Sequence, residues 1–222
     1  MALDEGRSPE ANALLERLEG VGVEIRFESA RELRRMSALD PPPELLAMRA
    51  NRPTRDVSEA MRDEGLALAL VGLRYPANVG FILRSLEVAG GSCAAIDSDW
   101  GDAQFEEALR VSMRADRFMP VFRESATDAL QAARKAGRQI IALETHGKRT
   151  PWEVDLDRPT LVLVGSETHG IPDALARSAD EFVRIPIGGF IPSYNVQAAV
   201  GIVLGEWLRQ SPAAEDPSGG AA

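Results

Sequence analysis

Three glycine-bearing stretches concentrate the polar side chains capable of chemistry. The first is Leu73-Arg74-Tyr75-Pro76-Ala77-Asn78-Val79-Gly80-Phe81-Ile82-Leu83-Arg84. It offers a carboxamide and, six positions later, a guanidinium whose planar fork holds phosphate or carboxylate oxygens bidentately. Asn78 also suits a helix N-cap, and Arg84 suits a solvent-facing helical position. The second is Leu161-Val162-Leu163-Val164-Gly165-Ser166-Glu167-Thr168-His169-Gly170-Ile171-Pro172. It brackets the carboxylate of Glu167 between two glycines at the end of an apolar run, and glycine lets backbone approach a ligand closely. Glu167 equally suits the start of a following helix. The third is Ile185-Pro186-Ile187-Gly188-Gly189-Phe190-Ile191-Pro192-Ser193-Tyr194-Asn195-Val196. It crowds glycines, prolines, Ser193 and Asn195 into one connection ahead of an apolar helix that Ser193 can cap.

Other chemistries are poorly served. Two histidines, His146 and His169, argue against an imidazole metal site and against a Ser-His-Asp triad. One cysteine, Cys93, excludes an internal disulfide framework and a cysteine-rich zinc site. Neither G-x-G-x-x-G nor a P-loop follows the first strand.

The elements that must position these loops follow from pattern. Ser8 and Pro9 start a helix over 8–19, Val23–Phe27 alternates like a strand, and Ser29–Met36 reads as a second helix. Pro41, Pro42 and Pro43 open a stretch to Glu64 that reads as a linker or as an ordered connection wrapping the main domain. From Leu66 the pattern becomes strand, helix, strand. Leu66–Leu73 is a continuous apolar run, as expected of a strand buried on both faces. Helices are predicted over 78–89, 102–117, 126–136, 172–178 and 193–210, with strands at 93–96, 119–122, 139–143, 161–164 and 182–187. Strands alternating with helices imply a parallel sheet, whose ligands bind outside the carboxyl ends of its strands. The loops after Leu73, Leu143, Val164 and Ile187 are therefore where a site belongs.

The chain of 222 residues carries a net charge of −9 and has a pI near 4.9, which at first argues against nucleic acid. Of 25 basic residues only Lys135 and Lys148 are lysine, so the positive charge is almost all arginine. Arginines gather at Arg31, Arg34 and Arg35, and at Arg110, Arg114 and Arg117, the latter with helical spacing. Such local arginine clusters are compatible with the acidic total. No run is long and apolar enough for a membrane span, and the charged N-terminus has no signal-like core, so a cytoplasmic location is expected.

Together the three stretches resemble the SpoU (TrmH-like) family of RNA 2′-O-ribose methyltransferases, within the SPOUT class. Asn78-Val79-Gly80 with Arg84 matches the family's first motif. Gly165-Ser166-Glu167-Thr168-His169-Gly170 matches its second. Ile185, Pro186, Gly189, Ser193, Asn195 and Val196 match its third. The resemblance covers about residues 66–210. Tyr194 departs from the family's usual leucine, and the small-residue stretch after the second strand is altered to Val111-Ser112-Met113-Arg114-Ala115-Asp116.

The resemblance implies an α/β parallel-sheet SPOUT domain over residues 61–210, with a C-terminal deep trefoil knot. A short N-terminal α/β extension over 1–60 precedes it, either similar to a reduced L30e-like RNA-binding segment that contacts RNA through Arg31, Arg34 and Arg35 or a packing arm, and a disordered tail over 211–222 follows. It implies S-adenosyl-L-methionine as methyl donor, no metal, ribosomal or transfer RNA as partner, no DNA, and a homodimer built largely through the first and last helices of the catalytic domain. By resemblance Thr145, Gly165, Ile185, Tyr194 and Asn195 hold the donor. Arg84, Asn78, Glu167, Ser193 and Asn195 carry catalysis, Arg84 as a base or as the group that grips phosphate or ribose. The competing readings are a non-catalytic SPOUT RNA-binding protein, a metabolite-binding α/β domain and a SPOUT enzyme that methylates a base.

Overall fold

A computed structural model of the chain describes residues 1–23, 25–37, 39–47 and 56–211. The chain divides into two units, Met1–Ala50 and Asn51–Ala222. The first holds β1 (Ala2–Leu3), α1 (Pro9–Gly20), β2 (Phe27–Glu28) and α2 (Ala30–Ser37). Ser8 caps α1, its Oγ accepting from the Ala11 amide at 3.2 Å, and Pro9 sits at the first helical position, where its missing N–H is harmless. The predicted strand over 23–27 shrinks to Phe27–Glu28, because its parallel partner β1 is only two residues long; Glu24 lies outside the described residues. Ala2, Ala11, Leu15 and Leu33 supply the buried apolar contacts of this unit. Arg34 pairs with Asp40 and Arg35 with Glu32, while Arg31 is exposed. Exposed pairs of this kind contribute about 0–1 kcal/mol and leave both arginines free to exchange partners.

The second unit contains α3 (Val57–Ala60), β3 (Leu66–Val71), α4 (Pro76–Val88), β4 (Cys93–Asp97), α5 (Asp102–Val111), β5 (Val121–Arg123), α6 (Ala126–Lys135), β6 (Gln139–Leu143), β7 (Thr160–Val164), α7 (Asp173–Ala176), β8 (Glu181–Val183) and α8 (Val196–Gln210). Its six strands form one parallel sheet in the order β5-β4-β3-β7-β6-β8. Strand β7 follows β6 in the chain yet inserts between β3 and β6. Because all strands run the same way, the loops after β3, β6, β7 and β8 emerge at one edge.

The sheet is covered on both faces, which is why β3 reads as an unbroken apolar run. Leu66, Leu68 and Leu70 point to a core shared with Val79, Ile82, Leu83 and Leu86 of α4 and Val200, Val203, Leu204 and Trp207 of α8. Ala67 and Ala69 point the other way, toward Ala129, Leu130 and Ala133 of α6. Gly80 lets α4 cross α5 closely: a Cβ there would lie 2.6 Å from the Val111 Cβ and 2.7 Å from the Ala108 carbonyl oxygen. Cys93 is fully buried, and desolvation pushes its thiol up to about 11.

Arg138 joins the amino-terminal ends of the strands, opposite the loop edge. It is 2% exposed. Its guanidinium donates to the carbonyls of Met61 (2.8 Å), Gly65 (2.7 Å), Thr160 (3.1 Å) and Asp63, and to the Ser92 hydroxyl (3.0 Å). Arg138→Met keeps the aliphatic stem but strands several buried acceptors. We expect it to destabilise the fold by about 2–3 kcal/mol, measured as a lower urea midpoint.

Several predicted boundaries move. Helix α4 begins at Pro76, two residues before the predicted start, because the ring of Pro76 fixes a helical φ. The helix predicted over 102–117 stops at Val111. Met113 and Arg114 adopt left-handed φ values of 57° and 62°, and a short 3-10 turn follows over Ala115–Arg117. Arg110, Arg114 and Arg117 therefore do not share a helix face, and Arg114 is paired with Glu106 and Asp116. The last strand ends at Val183, where its ladder with β6 stops. The predicted linker falls partly at 48–55 and the tail predicted over 211–222 falls at 212–222, both outside the described residues, Ser211 being the C-cap of α8.

Candidate active site

The loops after β6, β7 and β8 enclose a cavity of about 470 Å³ at the carboxyl edge of the sheet. Leu143, Val164, Ile185 and Ile187 give it apolar walls, and Glu144, Thr145, His146, Glu167, Ser193 and Tyr194 add polar groups. Of the residues read from sequence as donor-binding, Thr145, Gly165, Ile185 and Tyr194 line this cavity, and Asn195 does not. Of those read as catalytic, Glu167 and Ser193 line it, and Arg84, Asn78 and Asn195 do not.

The loop after β7 turns back on itself through Ser166 and Gly170, which exchange backbone hydrogen bonds of 3.2 and 2.9 Å. Gly165 is obligatory there: a Cβ would sit 2.1 Å from the Gly170 carbonyl carbon and 2.3 Å from the Ile171 nitrogen. Glu144, one residue beyond β6, stitches this turn to the neighbouring loop, its Oε1 accepting from the Ile171 amide at 2.6 Å.

Glu167 and Asn78 find each other across 89 positions of sequence. The Asn78 Nδ2 donates to Glu167 Oε1 at 2.7 Å, and the Arg74 amide donates to Oε2 at 3.4 Å. Neither residue is a cap. Asn78 lies within the first turn of α4, and α7 starts at Asp173, well beyond Glu167. Helix α4 is thereby tied to the cavity wall. Arg84, nearly two turns further along α4, is exposed, and its guanidinium has no hydrogen-bond or ion-pair partner among the described residues.

The third stretch closes the opposite wall. Asn195, rather than Ser193, caps α8, its Oδ1 accepting from the Gln197 amide at 2.9 Å. Tyr194 donates from its hydroxyl to the Pro186 carbonyl at 3.1 Å, bracing the connection that starts after β8. Tyr194→Phe removes this exposed bond alone. Ligand affinity at the cavity is expected to fall by less than about threefold, checked by calorimetry.

Sequence reasoning pointed to the loop after Leu143 but passed over Glu144 and His146. Their signal was position, directly after a buried strand at the edge where parallel sheets bind ligands. Among the described residues no group of three or more His, Cys, Asp or Glu side chains could hold a metal ion, and no helix is long and apolar enough to cross a membrane.

Comparison with known proteins agrees with this arrangement. Residues 65–205 match the SpoU rRNA Methylase family. An uncharacterized tRNA/rRNA methyltransferase of Synechocystis sp. is 33% identical over 153 residues, covering 68% of this chain and 56% of that protein. The chain spans about half the length of the curated relatives it matches. A crystal structure of an RNA 2′-O ribose methyltransferase is similar at 26% identity and a TM-score of 0.59, over 95% of this chain and 80% of that one. The AdoMet-bound rRNA methyltransferase from Sinorhizobium meliloti is similar at 25% identity and a TM-score of 0.63, over 90% and 77%. With three ordered motifs gathered at one sheet edge, this chain belongs to the SpoU rRNA methylase family.

Proposed function

We propose that the chain transfers the methyl group of S-adenosyl-L-methionine to a ribose 2′-hydroxyl of structured RNA, ribosomal or transfer. One observation carries the reading: the Asn78–Glu167 hydrogen bond of 2.7 Å anchors the helix bearing Arg84 to the wall of the ligand cavity. A methyl donor held in the cavity and an RNA held by α4 would then meet at one rim. Likeness to a protein described as an RNA 2′-O ribose methyltransferase supports ribose over base as the acceptor.

The cavity suits such a donor. Its volume falls in the range of small-molecule sites, and its apolar walls carry a few convergent polar groups. Thr145, Gly165, Ile185 and Tyr194 would hold the donor, which supplies an activated methyl group when bound. The chain's own task is to orient the hydroxyl and favour loss of its proton. A guanidinium stays protonated up to about pH 12, so the role that suits Arg84 is electrostatic. It grips the phosphate or ribose and stabilises charge developing on the 2′-oxygen. Asn78 and Glu167 position α4 against the cavity, Ser193 contacts the ligand, and Asn195 fixes the start of α8.

The same reading includes a homodimer, a carboxyl-terminal trefoil knot and a cytoplasmic enzyme. Exposed Phe81 and Val88 on α4 and Leu208 on α8 support a second copy docking there, and β7 inserted between β3 and β6 is a topology compatible with threading. In this reading residues 1–60 either contact RNA through Arg31, Arg34 and Arg35 or serve as a packing arm, and RNA affinity measured after their deletion separates the two. The whole reading is tested by incubating purified protein with isotope-labelled donor and ribosomal or transfer RNA and mapping the product. Label on a 2′-oxygen is expected, and label on bases sinks the ribose assignment. Donor binding without any transfer would favour the non-catalytic RNA-binding alternative. No donor binding at all would favour a metabolite-binding domain.

A further inference from the structure

We infer that Glu144 makes the cavity selective for a positively charged ligand, and that this selectivity separates a sulfonium methyl donor from its neutral thioether product. The inference rests on the donor reading above. The cavity wall includes Glu144, Glu167 and Asp173, and its basic side chains are the histidines His146 and His169, with no arginine or lysine, in a chain that has 25 arginines and lysines.

The three carboxylates are not equivalent. Both oxygens of Glu167 are engaged, by Asn78 and by the Arg74 amide. Asp173 stands exposed in the first turn of α7. Glu144 is the enclosed one, its side chain 13% exposed. Its Oε1 takes the Ile171 amide. Its Oε2 accepts no hydrogen bond from the described residues, and the nearest ionisable nitrogen, His146 Nδ1, stands 3.9 Å away, beyond hydrogen-bonding reach.

A carboxylate partly removed from water, with one oxygen uncommitted, gains from a cation placed in the same enclosure. Methyl transfer removes one positive charge from the donor, whose sulfonium becomes a thioether. Donor and product share every other charged group. The ratio of their affinities therefore isolates the response of the cavity to that single charge. A site that favours the cation holds the donor and lets the spent product leave.

The test is calorimetry on the full-length protein with S-adenosylmethionine, S-adenosylhomocysteine and sinefungin, an analogue with an ammonium group in place of the sulfonium. The wild type is expected to bind both cationic ligands about three- to tenfold more tightly than the thioether. In Glu144→Gln the amide oxygen still accepts from Ile171, so the loop keeps its shape. The preference is expected to collapse to near unity, with thioether affinity within about twofold of wild type. Equal affinities in the wild type, or sinefungin binding like the thioether, overturn the inference without recourse to any variant. So does a preference that survives in Glu144→Gln, or an equal loss for all three ligands, which would make Glu144 only a brace for the loop. Failure of the wild type to bind any of the three overturns the donor reading itself, and the inference with it.

Discussion

Arg84→Ala is expected to lower methyl transfer by about 10²- to 10³-fold while changing donor affinity less than twofold. The split follows from geometry. Arg84 is exposed on α4, lines no part of the cavity, and its guanidinium has no partner among the described residues. Its removal disturbs neither the fold nor the donor site. What is lost is a cation on the RNA side of the rim, and removing one preorganised stabiliser of developing charge typically raises a barrier by about 3–4 kcal/mol. Arg84→Lys separates the roles available to it. A lysine restores charge without the bidentate fork, so partial recovery indicates phosphate gripping. Single-turnover assays beside donor calorimetry measure both halves, and normal turnover by Arg84→Ala sinks the assignment.

Gly165→Ala is expected to weaken donor binding by at least about a hundredfold with the sheet still folded. The added methyl would lie within 2.1–2.4 Å of the Gly170 carbonyl group and the Ile171 nitrogen. These are backbone atoms that cannot rotate aside, so the 165–171 turn must open and carry Ile171 away from Glu144. Gly188→Ala and Gly189→Ala are the controls, since nothing lies within 4 Å of a Cβ at either position. Donor titration of the three variants, with circular dichroism to confirm the sheet, reads the result. Unchanged affinity in Gly165→Ala would mean that the turn does not shape the site.

The central sheet was legible because β3, β6 and β7 are apolar on both faces, a pattern few other environments produce. The edges were less so. Strands β5 and β8 are three residues each and are bounded by where a neighbour stops pairing, which periodicity cannot register. The end of α5 was hidden because its left-handed residues, Met113 and Arg114, are not glycines. Asn78 and Glu167 were legible as chemistry and misread as possible caps, since each satisfies the other across two loops that meet only in the folded sheet. Glu144 was overlooked because a lone carboxylate in a loop has no local signature, and its contact with Ile171 spans 27 positions. Thr145, Gly165, Ile185, Tyr194, Ser193 and Glu167 all line the cavity. Asn195 stands outside the cavity lining, and its Oδ1 caps α8.

Cys93 gives the chain a built-in clock. It is the only thiol in the sequence, fully buried at the start of β4 beside the central strand, with its proton held to about pH 11. A thiol in that state ignores alkylating reagents until the sheet around it opens. The rate at which the unmodified protein takes up such a reagent is therefore a direct record of how often its centre comes apart, obtained without introducing a single foreign residue.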